Sequence, residues 1–173
     1  MKKYVFVING PGGVGKDTLC VLAANRFKVK NVSTITPIKE IAAMCGWAGE
    51  KTDRARKFLA DLKALTVAYN DYPTRWITEE YQKFLASEDE IMFVHIREGA
   101  EIKKFVDATE GRAITLLVRG GKRFRRRTGS YGNAADDEVE KYRYDYVFYN
   151  DHPLADTERI FASFLERIIR ENP

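Results

Sequence analysis

The sequence predicts a doubly wound α/β domain: a five-stranded parallel sheet with helices on both faces. Two observations carry this expectation. The apolar pattern switches repeatedly between short continuous runs and helical spacing, which marks alternating β-α units. Most of the runs are continuously apolar rather than alternating, as in strands covered on both sides. A chain of 173 residues suits a single domain over 1–173, long enough to bury roughly 70% of its unfolded surface.

The strands are expected at Tyr4 to Ile8, Val32 to Ile35, Ile91 to Val94, Ala113 to Val118 and Tyr146 to Tyr149. Between them lie three stripes with the spacing of one buried helix face. These are Leu19, Leu22, Ala23 and Phe27; then Ala55, Phe58, Leu59, Leu62, Leu65 and Tyr69; then Phe161, Phe164, Leu165, Ile168 and Ile169. No internal repeat and no Ser/Pro/Gly-rich linker interrupts the series.

With 45% hydrophobic and 31% charged residues, the composition is that of a soluble globular protein, not a disordered one. Cys20 and Cys45 form neither a disulfide framework nor a metal-binding spacing, so both are expected as core thiols in a reducing cytoplasm. The run Tyr4 to Ile8 is too short for a signal-peptide core, and no run approaches the about 20 apolar residues of a membrane span. The net charge of +4 is local: Arg119, Lys122, Arg123, Arg125, Arg126 and Arg127 fall within nine positions. Without them 23 basic residues face 25 acidic ones, a balance of −2. A chain coated in positive charge for nucleic acid is excluded.

Directly after the first strand come Gly10, Pro11, Gly12, Gly13, Val14, Gly15, Lys16, Asp17 and Thr18, and they run into the first helical stripe. This is G-x-x-x-x-G-K between strand and helix. Its glycines let backbone N–H groups close around phosphate oxygens, the helix N-terminus adds its dipole, and Lys16 reaches the outer phosphates. Asp17 stands where a Ser or Thr hydroxyl usually meets Mg²⁺. Its carboxylate is also a hard oxygen ligand, direct or through water, and it is equally a first-turn residue favoured by the dipole. The loop alone names no reaction. A guanine-nucleotide switch is excluded because the chain has no N-K-x-D. A motor or AAA-type ATPase needs a longer chain, which leaves a compact kinase.

Three further segments support that choice. Lys39, just past the second strand, is placed to meet an acceptor's phosphate or, alternatively, to lie solvated at a helix start. At the end of the third strand, Arg97 can clamp a phosphate in bidentate fashion or pair with Glu98 or Glu101. The basic cluster is flanked by Gly120, Gly121, Gly129 and Gly132, a pattern of hinges for a mobile lid over 119–134 that closes on triphosphate. The competing reading is an arginine-rich loop for RNA, with few interleaved aromatics.

Taken in order, the phosphate loop ending in Lys16, Asp17 and Thr18, the segment Pro37 to Lys39, Arg97 with Glu101, and the closing run Asp145 to Asn150 resemble the deoxynucleoside monophosphate kinases. They are similar also to the animal-type phosphomevalonate kinases. Both have the nucleoside monophosphate kinase fold of the P-loop NTPases. The resemblance covers most of the chain and implies ATP as donor, Mg²⁺ as cofactor and a small phosphorylated acceptor. It assigns Gly10, Gly12, Gly13, Val14, Gly15, Lys16, Asp17 and Thr18 to the ATP phosphates, and Arg119 with the lid arginines Arg123, Arg126 and Arg127 to the transferring group or adenine. Asn150 goes near the adenine; Lys39, Arg56, His95, Arg97 and Glu101 go to the acceptor, and Asp17 to the metal. Where the family reads Asp-x-Arg in the third strand, this chain has His95, and imidazole is a poor partner for Mg²⁺. The expected function is therefore phosphoryl transfer to a (deoxy)nucleoside monophosphate. A phosphomevalonate-like or dephospho-coenzyme-A-like acceptor, or a non-catalytic nucleotide- or RNA-binding protein, stays open. Nothing in the sequence reads the oligomeric state.

Overall fold

The first strand sets the frame. In β1 (Tyr4–Asn9) the residues Val5 to Ile8 are all buried, which a strand achieves only in the middle of a sheet with both faces covered. The structure is a computed structural model that describes residues 2–121 and 134–173, the side chains of 134–137 excepted. The other strands are β2 (Val29–Ser33), β3 (Ile91–His95), β4 (Ala113–Gly120) and β5 (Tyr146–Asn150). All neighbours pair in parallel, in the order β2-β3-β1-β4-β5.

The helices are α1 (Lys16–Ala23), α2 (Thr36–Met44), α3 (Asp53–Asn70), α4 (Tyr72–Ala86), α5 (Gly99–Ala108), α6 (Ala134–Lys141) and α7 (Leu154–Glu171). One face of the sheet buries Phe6, Ile8, Phe93, Leu116, Val118 and Phe148 against Leu19 and Ala23 of α1 and Phe161, Leu165 and Ile168 of α7. The other packs Val5, Val7, Met92 and Val94 against Ile77, Tyr81 and Phe84 of α4 and Ile102 and Phe105 of α5. The chain leaves β1 toward β2 and leaves β3 toward β4, in opposite directions along the sheet. That divergence opens a crevice beyond the carboxyl ends of β1 and β3, where doubly wound sheets hold their ligands.

Three expectations need correction. The second strand lies at Val29–Ser33, not Val32 to Ile35, because Ile35 caps α2 and sends Ile38 into the core. The stripe on α3 is not a buried face: only Ala55 is buried, while Leu65 and Tyr69 are 68% and 86% exposed. That helix packs chiefly on α2 and α4 and stands off the sheet. Cys20 is buried as expected, but Cys45 is exposed at the end of α2.

Candidate active site

The phosphate loop is held at its base by Asn9, the last residue of β1. Its amide nitrogen donates to the Arg97 carbonyl at 3.0 Å and to Tyr144 Oη at 2.9 Å, and its Oδ1 accepts from Gly10 N at 2.9 Å. Gly10 (φ +154°) passes so close to β4 that a Cβ would lie 2.4 Å from the Val118 carbonyl oxygen. Gly15 (φ +93°) is the left-handed N-cap of α1 and turns the chain into the helix. From β5, the buried Asn150 amide donates to the Val14 carbonyl at 2.9 Å, while Val14 itself is buried. The loop is thus fastened to β1, β4 and β5 before any ligand arrives. Asn150 touches the backbone of the loop.

Lys16 folds back over this loop, donating to the carbonyls of Gly10 at 2.6 Å and Pro11 at 2.9 Å. Its ammonium is therefore parked on the loop that phosphates would occupy. Gly12, Gly13, Asp17 and Thr18 are exposed beside it.

A cleft of about 430 Å³ opens next to the loop. Gly10, Gly12 and Lys16 line one side, Arg56, Leu59 and Lys63 of α3 another, and His95 to Glu98 the end of β3. Arg56 and Arg97 thus reach the same cleft as the phosphate loop, from elements far apart in sequence. Lys39 is exposed on α2 and is not among the lining residues.

Glu101 lies buried behind the cleft wall and is tied to it through Lys63. The Lys63 ammonium is 2.7 Å from Glu98 Oε2 and 3.0 Å from Glu101 Oε2. Burial, reinforced by the Glu98 charge and opposed by Lys63, pushes the Glu101 carboxyl above the usual carboxylate range. Glu98 is itself partly desolvated, yet the Lys63 ammonium holds it below that range. Glu101 therefore acts on the cleft by anchoring Lys63.

His95 stands at the end of β3 with Nε2 2.9 Å from Asn31 Oδ1 and 3.7 Å from Cys20 Sγ, and with Nδ1 3.9 Å from Asp17 Oδ1. Burial holds the imidazole below its ordinary pKa, with the Asp17 charge opposing and Lys16 reinforcing. Burial also pushes the Cys20 thiol up to about 12, which leaves it an inert core group. Asp17 fits a divalent cation, being an exposed hard-oxygen ligand in the first turn after Lys16. Among the described residues no group of three or more His, Cys, Asp or Glu forms a metal site, so a cation here takes most of its ligands from elsewhere.

On the far side, Arg119 at the end of β4 forms a two-point ion pair with Glu140 of α6. A second link runs from α6 to the loop, because Tyr144 donates to the Val139 carbonyl while accepting from Asn9. Arg123, Arg126 and Arg127, and with them most of the lid expected over 119–134, lie outside the described residues. Sequence reasoning missed Asn9, Asn31, Lys63, Tyr144 and Glu140, each of which has a partner distant in the chain. Only Asn9 carried a local signal, being the polar residue that ends an apolar strand just before the loop.

No protein-family model matches the sequence, and no curated protein matches it. Solved structures do. A gluconokinase from Sinorhizobium meliloti 1021 superposes with a TM-score of 0.56 at 17% identity, over 98% of this chain and 94% of that one. A tunicamycin resistance protein from Deinococcus radiodurans gives 0.60 at 12%, over 96% of each chain. A shikimate kinase from Aquifex aeolicus gives 0.52 at 12%, over 94% of this chain and 96% of that one. No helix among the described residues is long and apolar enough to cross a membrane. The strand order, the phosphate loop after β1 and these superpositions agree on one architecture: the chain has the P-loop kinase-like fold.

Proposed function

We propose that the protein transfers the γ-phosphoryl group of ATP to a small phosphorylated acceptor, a nucleoside or deoxynucleoside monophosphate. One observation carries the reading: the phosphate loop forms one side of a cleft whose other walls carry Arg56, Arg97 and Lys63, room for a second anionic ligand. A hydrolase needs only the first; a transferase needs both. Phosphoryl transfer asks little covalent chemistry of a protein and much positioning and charge neutralisation.

On nucleotide binding, the loop amides and the α1 N-terminus take the phosphate oxygens, and Lys16 exchanges the Gly10 and Pro11 carbonyls for the outer phosphates. Arg97 and Arg56 hold the acceptor's anionic group, with Arg97 fixed by the Asn9 contact to its backbone. Apolar Ile8, Ile35, Leu59 and Ile96 exclude water around it. Asp17 would help hold a divalent cation brought by the nucleotide, which would supply charge neutralisation.

A second reading, an acceptor whose anion is a carboxylate, is favoured by the acceptors for which the gluconokinase and shikimate kinase are named. ADP release measured over a panel of monophosphates, gluconate and shikimate separates the two. Lys16→Ala should cost on the order of 3 kcal/mol in kcat/KM, the effect of removing one preorganised donor. Turnover by that variant within about threefold of wild type, on the same scale, would remove Lys16 from the chemistry.

A further inference from the structure

Glu98 is the N-cap of α5, yet its side chain caps none of the helix amides. The carboxylate lines the cleft and lies 2.7 Å from the Lys63 ammonium, which also meets Glu101 at 3.0 Å. Cover decreases outward along this chain of charges: the Glu101 and Lys63 side chains are 8% and 14% exposed, and that of Glu98 is 50% exposed. Lys63 spends its charge on the two carboxylates, so the group this corner offers a ligand is the outer one. Partial burial opposes its ionisation, yet Lys63 holds it below the usual carboxylate range. An ionised carboxylate only accepts, with about four lone-pair sites, and the Lys63 contact falls on one oxygen, Oε2. With half of its surface open to the cleft, Glu98 keeps accepting capacity for a ligand.

A ligand that fills the cleft displaces the water on this carboxylate. It must then bring an N–H or O–H to Glu98 or leave the charge unpaired in a cleft otherwise walled by Ile8, Ile35, Leu59 and Ile96, a cost that discriminates between ligands. Lys63 sits about two turns beyond Arg56 on α3, about 10 Å along its axis, so this corner meets a part of the acceptor other than the anion at Arg56. On the reading of the cleft as the acceptor site, we propose that Glu98 selects the acceptor by accepting a hydrogen bond from a hydroxyl or amino group remote from its phosphate. Lys63 and, behind it, Glu101 are positioning residues that hold the carboxylate in place. In a nucleoside monophosphate the sugar hydroxyls and the exocyclic amine of the base present this same chemistry.

The test uses the full chain with Mg²⁺ and ATP, and matched acceptors that differ by one donor. GMP and AMP are each compared with the twin lacking the exocyclic amine (IMP and purine riboside monophosphate), the 2′-hydroxyl or the 3′-hydroxyl. Both kcat/KM for ADP release and the shift in melting temperature with acceptor alone are read. Wild type should favour the complete acceptor over one of these twins by about tenfold or more, the range of a hydrogen bond to a charged group. That ratio should fall to about one in Glu98→Ala while the ratios for the other twins hold, and Glu98→Gln, which keeps an accepting oxygen, should restore part of it. Loss of the amine ratio places the base at Glu98, and loss of a hydroxyl ratio places the sugar there. Should Glu98→Ala misfold, Glu98→Gln decides, its uncharged oxygen cutting the ratio by about threefold or more. Phosphorylation of the acceptors with no twin disfavoured by about tenfold, or a ratio that survives undiminished in the folded variants, overturns the role of Glu98 and leaves the kinase reading intact. No turnover of these acceptors and no stabilisation by them, with ATP still raising the melting temperature, overturns the monophosphate acceptor and this proposal together.

Discussion

Gly10 is where the phosphate loop comes closest to the sheet. A methyl group there meets the Val118 carbonyl of β4, a backbone atom that cannot rotate away. Gly10→Ala should destabilise the protein by about 2–3 kcal/mol in urea unfolding, as overpacking against a fixed wall does. An unchanged midpoint would mean that the loop can lift off β4. Glu101 makes a different prediction. Its folded-state pKa is raised, so the stability it contributes is complete below the unfolded-state value and is lost as pH climbs through the folded one. Glu101→Gln does not titrate. It should be more stable than wild type at about pH 8, with the gap closing toward about pH 4, near the ordinary glutamate value. A gap that widens on acidification would show that the carboxylate is the favoured buried form. At this scale the sequence is legible where local structure is written into consecutive residues, as in the glycine turn from Gly10 to Gly15 that leads into α1. It is silent on Lys63, whose place in the cleft depends on Glu98 and Glu101 arriving from another element.

Among the elements, α3 and α4 show what apolar spacing does and does not convey. The stripe Phe58, Leu62, Leu65 and Tyr69 has helical period and α3 is indeed a helix, but period does not say what the face meets. The face meets little, because α2 and α4 take the inner side of α3. In α4 the buried face is built from Pro73, Thr74, Ile77, Tyr81 and Phe84, a set too mixed in polarity to stand out as a stripe. The two helices join at Asp71 (φ +55°), with Pro73 in the first turn of α4, so the chain turns sharply without a loop. Leu65→Gln and Tyr69→Gln should each change stability by less than about 0.5 kcal/mol, whereas Phe84→Ala, fully buried, should cost about 3–5 kcal/mol. Comparable losses in denaturant unfolding for both sets would show that the outer face of α3 is covered in solution.

For the whole molecule, fold class and four of the five strands were legible because continuous apolar runs between turn residues read as doubly covered strands, whereas β2 was misplaced because Val29–Ser33 is only half-buried and mixed in polarity. The order β2-β3-β1-β4-β5 was not legible, since it depends on the direction each crossover takes over the sheet. Charge was legible in one respect: the basic excess resides in 119–127 and the remainder is mildly acidic. Arg119, the first of that group, is bonded to Glu140 of α6, and Tyr144 joins the same helix to Asn9 at the base of the loop. If the remaining arginines meet the triphosphate, their contribution belongs to the ligand-bound protein and not to the fold. The prediction is that replacing Arg123, Arg126 and Arg127 together by Gln leaves the melting temperature without nucleotide unchanged. ATP at a hundred times its dissociation constant should stabilise wild type by about 2.7 kcal/mol, or roughly 5–10 °C for a domain of this size. The triple variant should show a smaller rise at the same ATP concentration, and lower turnover. Loss of melting temperature without nucleotide would make the cluster part of the fold, and an undiminished ATP response would remove it from the phosphate site.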